Sequence, residues 1–109
     1  LLQPGDAVGR REEIEYGTLR GIRMPEICRF YGIIIAMFYS DHNPPHFHAR
    51  YGNQSVVIDI HTLRILEGTI PPRALGLVME WAFQHKTELL NDWQLAKNNQ
   101  PPQKIDPLH

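Results

Sequence analysis

His46-Phe47-His48-Ala49-Arg50-Tyr51, followed by Gly52-Asn53 and then Val56-Val57-Ile58-Asp59-Ile60, decides the fold. Strand side chains alternate between two faces, so Phe47, Ala49 and Tyr51 point one way and His46, His48 and Arg50 the other. Gly52-Asn53 is a turn signal between two such runs. In the second run Val56, Ile58 and Ile60 share one face, and Val57, Asp59 and His61 share the opposite one. His61-Thr62 turns the chain into a further strand, Leu63–Glu67, which Gly68 closes. The middle of the chain therefore reads as an antiparallel meander.

Upstream, residues 27–39 are rich in β-branched and aromatic types, with Gly32 interrupting them. They read as one long strand or two short ones, Gly32 marking a bend or bulge. Asp41-His42-Asn43-Pro44-Pro45 is a turn, because paired prolines cannot donate ladder hydrogen bonds.

Downstream, Thr69-Ile70-Pro71-Pro72 has the form of a helix start. From Arg73 the period becomes helical. Leu75, Val78, Met79, Ala82 and Leu89 form a stripe, flanked by Leu77 and Trp81 and wide enough to cover one sheet face. Asn91-Asp92 breaks this helix or begins a short second one. The expected fold class is α+β: an antiparallel three- to four-stranded sheet packed against one main C-terminal helix.

The chain has 109 residues, enough for one domain with a modest core. Residues 24–98 read as that domain and residues 99–109 as a proline-bearing tail over its surface. Residues 1–23 scatter their apolar side chains among glycines and charges, and read as an N-terminal extension, poorly ordered or foreign to the domain. The alternative is a short strand or arm around Ile14–Leu19. No internal repeat is visible.

Eleven basic residues against twelve acidic ones give a formal charge of -1, so no global basic field draws the chain to nucleic acid. The single Cys28 allows no internal disulfide and reads as a buried thiol. The longest apolar run, Ile33–Tyr39, falls well short of the roughly 20 residues that cross a bilayer. These features lead us to expect a soluble cytoplasmic protein without a membrane partner.

Three histidines within seven residues, His42, His46 and His48, are the chemical centre of the sequence. His46 and His48 share a strand face, with Cβ atoms roughly 6–7 Å apart. His42 reaches that face if the proline turn folds back, Asp41 adds a carboxylate, and Arg50 extends the polar row. Imidazole suits both proton transfer and metal ligation near neutral pH. In one reading His42, His46 and His48 ligate zinc or another divalent metal, with water in the open position. In the other, His46 and His48 are general acid and base on a phosphodiester, with Arg50 or Arg29 stabilising developing charge, as in a metal-independent ribonuclease. The plain alternative is that His46 and His48 are solvent-facing strand residues and His42 satisfies turn carbonyls. Asp59 reads as an outward strand residue that could join the polar face, His61 as a turn residue and His85 as a helix-boundary residue. Trp81 and Trp93 read as packing residues.

Met24-Pro-Glu-Ile-Cys-Arg-Phe-Tyr-Gly-Ile33, Asp41-His-Asn-Pro-Pro-His-Phe-His-Ala-Arg-Tyr-Gly52, Ile58-Asp-Ile60, Leu66-Glu-Gly68, Pro72-Arg-Ala-Leu75 and Glu80-Trp81 together resemble the bacterial domain-of-unknown-function 4160 family. The resemblance covers about residues 24–96, and His42, His46, His48 and Arg50 match its hallmark positions. It implies a small bacterial protein encoded beside another protein of unknown function, in an arrangement suspected of being a toxin–antitoxin pair. The expected function is a component of such a module, a small nuclease acting on RNA or a metal binder, with a cognate antitoxin-like protein as partner. The alternative is a non-enzymatic binding module that docks a neighbouring gene product through its sheet edge or His face.

Overall fold

The chain from Glu26 to Gly68 is a five-strand meander, paired antiparallel in the order β1-β2-β3-β4-β5. The computed structural model describes residues 24–109. The expectations for residues 1–23, including the arm around Ile14–Leu19, lie outside the described residues. The strands are β1 (Glu26–Phe30), β2 (Ile33–Ala36), β3 (His46–Tyr51), β4 (Gln54–Asp59) and β5 (Ile65–Gly68). Helices α1 (Pro72–Gln84) and α2 (Lys86–Lys97) follow. No helix among the described residues is long and apolar enough to cross a membrane.

Five strands replace the expected three or four because the chain turns sharply at Tyr31-Gly32. Both residues take positive φ, 48° and 80°, the hand of the tight turns that close hairpins. The stretch 27–39 is thereby split into β1 and β2, with Phe30 opposite Ile33. The last strand starts two residues later than expected. Asp59 Oδ1 accepts the backbone N–H groups of His61 and Thr62, and Leu63 takes φ 61°, so residues 60–64 are spent on the turn.

Gly68 ends β5 at a position that only glycine fits. Its φ is +76°, and a Cβ there would lie 2.3 Å from the Ser55 carbonyl oxygen. Gly68→Ala is expected to cost about 2 kcal/mol or more, from left-handed strain plus a backbone clash. Urea unfolding curves of the variant and the parent measure it.

One sheet face is apolar and fully covered. Ile27, Phe30, Ile33, Ile35, Phe47, Ala49, Val56 and Ile58 are all buried there. The helices supply the covering layer. α1 buries Ala74, Val78, Trp81 and Ala82, the spacing of one helical face. α2 buries Leu89, Asp92, Trp93 and Ala96 in the same pattern. There are thus two helices rather than one main helix. The break falls at His85 (φ -123°), where the His85 N–H bonds back to Ala82 and the His85 carbonyl starts the next helix through Leu89. Asn91 and Asp92 lie inside α2.

The C-terminal segment is tied to this core. Ile105 donates its N–H to Ile27 at the β1 edge (3.1 Å), Trp81 Nε1 donates to the Asp106 carbonyl (2.7 Å), and Ile105 and Leu108 are buried. Gln103 N–H donates to Asp92 Oδ1 at 2.8 Å, while Asp92 Oδ2 is buried with no partner. Burial pushes the Asp92 carboxyl up to about 6 against the pull of the Gln103 N–H, and Glu88 adds to the rise. The folded chain therefore holds the Asp92 proton more tightly than the unfolded chain, whose Asp titrates near ~3.9. The resulting stability is present at low pH and is lost as pH rises through about 6. Asp92→Asn is expected to flatten this dependence, with the difference from wild type changing by on the order of 2 kcal/mol between acid and neutral pH. Denaturant midpoints measured across that range test it.

Candidate metal centre

The second sheet face carries the polar row of β3. Register pairs Ala36 with His48 and Ile34 with Arg50 from β2, and His48 with Val57 and His46 with Asp59 from β4. The loop between β2 and β3 brings Asp41 to these imidazoles, and the Asn43–Pro44 peptide within it is cis. The C-terminal part of α2 holds that loop. Ser40 N–H donates to the Ala96 carbonyl (3.0 Å), Ser40 Oγ donates to Asn99 Oδ1 (2.7 Å), and Lys97 Nζ reaches Asn43 Oδ1 (3.5 Å).

His46 is buried beneath Trp93, their ring centroids 5.0 Å apart. Its Nδ1 lies 2.6 Å from the Pro44 carbonyl oxygen, which can only accept, so Nδ1 carries a proton and donates. In a neutral ring Nε2 is then a bare lone pair, and it faces Asp41 Oδ2 at 2.8 Å. Two acceptors at that distance require a positive species between them: a proton, making an imidazolium–carboxylate pair, or a metal ion.

His48 leans on the same oxygen. Its Nε2 lies 3.8 Å from Asp41 Oδ2 and is buried with no hydrogen-bond partner. The edge of Phe38 packs against the ring, centroids 4.9 Å apart. Burial, reinforced by the neighbouring His46, pushes the His48 imidazole down to about 4, Asp41 opposing only in part. His48 is thus neutral at physiological pH, with no proton to give as a general acid and with a lone pair suited to a metal. Burial also works against the Asp41 charge. The His42 N–H on Oδ1 (2.8 Å) and the two imidazoles outweigh it and hold the carboxyl below its usual range.

One ligand atom from each of Asp41, His46 and His48 can be chosen so that all three lie within 4.8 Å of one another. Ligand atoms around a tetrahedral ion with bonds of roughly 2.0–2.2 Å stand about 3.4 Å apart. The 2.8 Å and 3.8 Å separations from Asp41 Oδ2 bracket that value. The outer contacts also suit ligation. His46 donates its other ring nitrogen to a backbone carbonyl, and Asp41 accepts a backbone N–H on its other oxygen, the usual way of orienting ligands.

The remaining sequence candidates are placed differently. His42 follows Asp41 and its Nδ1 lies 3.3 Å from Asp41 Oδ1, but its side chain is 88% exposed and it is not one of the three grouped donors. Arg50 shares the face of His48, with its Nε donating to the Gly52 carbonyl at 2.8 Å. Arg29 sits on β1, two strands from β3, and is gripped by both carboxylate oxygens of Glu26 at 2.8 and 3.1 Å. Asp59 aligns with His46 in register, yet its carboxylate is committed to the His61-Thr62 turn. His85 bonds Glu88 and packs on Trp81. Cys28 is buried, and burial pushes its thiol up to about 11, the behaviour of an inert core cysteine.

Sequence reasoning counted three imidazoles and treated the carboxylate as an addition, whereas the structure groups two imidazoles with that carboxylate. The available signal was the adjacency of Asp41 and His42. The loop sets the Asp41 carboxylate against both strand imidazoles and leaves the His42 ring exposed at its other oxygen.

No curated protein and no solved structure matches the chain. One family profile does, over residues 32–94, a span that contains Asp41, His46 and His48. With more than half of its length matched, the chain belongs to the family described as Domain of unknown function (DUF4160).

Proposed function

We propose that this protein is a divalent-metal-binding domain whose centre is built from Asp41, His46 and His48. The observation that carries the reading is the orphaned Nε2 of His48, buried and aimed at a carboxylate oxygen that already meets the bare nitrogen of His46. A proton between Asp41 and His46 accounts for one of these contacts, whereas a metal ion accounts for both. Two imidazoles and one carboxylate suit zinc or ferrous iron better than calcium or magnesium, which prefer all-oxygen shells. Elemental analysis of the untagged full chain, loaded with zinc and then desalted, tests the reading. About one metal per chain is expected, and less than ~0.2 per chain overturns it.

In the cell, such a centre fits the RNA-directed member of a toxin–antitoxin-like module, with the metal supplying an activated water. Loss of growth inhibition on His48→Ala, at unchanged protein level, is the outcome this role requires.

A second reading, a partner-binding module, has its own support. β5 is the last strand of the sheet, all of it is exposed, and Ile65 and Leu66 stand 45% and 46% accessible. An antitoxin-like partner could add a strand there. A stoichiometric complex with a neighbouring gene product that survives His46→Ala and His48→Ala supports this reading, and failure to form any complex counts against it.

A further inference from the structure

The placement of the three ligands bears on what the metal is for, an inference that rests on the proposed metal centre. Asp41, His46 and His48 lie within one loop and the strand it leads into, so a metal there ties together no distant elements. The core is closed without it, with Phe47, Ile58, Val78 and Trp81 fully or almost fully buried on the opposite side of the sheet. Structural metals in small domains do the reverse. They cross-link separate segments and complete a four-ligand shell.

Among the described residues this group has three members. Three protein ligands leave at least one coordination position, the arrangement of sites that bind water or substrate. The group lies just beneath the surface: the side chains of Asp41 and His48 keep 18% and 16% exposure and the neighbouring His42 faces water, although Nε2 of His48 is itself covered. Charge then selects the visitor. Two neutral imidazoles and one carboxylate offset only half the charge of a divalent ion, so the loaded centre is net positive on a chain of formal charge -1. Lys97 adds a second cation at the ligand-bearing loop, where its ammonium group reaches Asn43 Oδ1, two residues from Asp41, at 3.5 Å.

We infer that the metal bound by Asp41, His46 and His48 keeps an exchangeable position open to solvent, and that this position takes an oxyanion of the phosphate class steadied by Lys97.

The test uses the full chain loaded with Co²⁺, whose visible absorption reports its ligands, titrated with inorganic phosphate. Saturable spectral change on phosphate addition is expected. Lys97→Ala should weaken the apparent phosphate affinity roughly tenfold through loss of one charge-assisted contact, with the Co²⁺ stoichiometry unchanged. Bound Co²⁺ whose spectrum ignores phosphate overturns the inference while leaving the metal centre standing. A phosphate response equal in the parent and in Lys97→Ala overturns the assignment of Lys97. Failure to bind Co²⁺ at all removes the underlying reading, so the two failures are told apart in one experiment.

Discussion

Trp81→Ala is expected to cost about 3–5 kcal/mol, enough to unfold much of the population of a small domain at 25 °C. Trp81 is fully buried where α1 meets the sheet, with ring centroids 5.6 Å from Phe30 and 6.1 Å from Phe47. Truncation leaves a cavity lined by aromatic rings from β1 and β3, elements too firmly paired to collapse into it. It also removes the 2.7 Å hydrogen bond from the indole to the Asp106 carbonyl, which ties down the C-terminal segment. Trp81→Phe separates the two terms, because it keeps most of the apolar volume and loses only the donor. A smaller loss, of about 1–2 kcal/mol, is expected for it. Chemical denaturation of both variants measures the difference. Equal losses would mean that the hydrogen bond, not the packing, dominates.

The second large effect is on metal affinity. His48→Ala is expected to weaken divalent-metal binding by more than about a hundredfold, since changes at groups that merely orient ligands already cost about 10–100-fold. Asp41→Ala should do the same, whereas His42→Ala should leave affinity within a few-fold of wild type, because its ring is exposed and is not one of the grouped donors. Stability without metal should change far less than affinity. Removing His48 also removes a buried nitrogen without a partner, so the metal-free His48→Ala variant should lose little stability beyond the ring's packing on Phe38. Calorimetric titration with zinc and thermal melts in chelator check the two halves separately.

The parts of the fold legible in the sequence were those where period and chemistry agreed. β3 and β4 alternate cleanly, and Gly52-Asn53 lies between them as expected. The apolar stripe of α1 appears at helical spacing, although Ala74 and Trp81 are buried while Leu75 and Met79 are only partly so. Other features depended on tertiary contacts. The β1–β2 turn places a tyrosine at positive φ, which local preference disfavours and pairing of the flanking strands imposes. The division between α1 and α2 falls at a histidine with no glycine or proline to announce it, and Trp81 and Trp93, one from each helix, both enter the core. Residues 99–109 read as a surface tail by their prolines, yet Ile105 and Leu108 complete the core.

The site was legible to the same depth. The shared face of His46 and His48 follows from strand alternation alone. Which of Asp41 and His42 turns toward them was not legible, because it depends on a loop whose Ser40 and Asn43 are held from outside by Ala96, Asn99 and Lys97, contacts more than fifty residues distant in sequence. The burial that keeps His48 neutral is likewise a product of Phe38 and the loop, invisible in the alternation of β3.

The central claim is a ligand set of Asp41, His46 and His48 that excludes His42. Nitrogen-15 NMR of the histidine side chains during zinc titration tests it most directly, because the shift of each ring nitrogen reports whether it holds a proton, a lone pair or a metal. Nε2 of His46 and Nε2 of His48 are expected to shift together to metal-bound values at one equivalent of zinc, with Nδ1 of His46 remaining protonated and both nitrogens of His42 unmoved. Zinc-dependent shifts at His42, or unmoved nitrogens at His46 and His48, would contradict it.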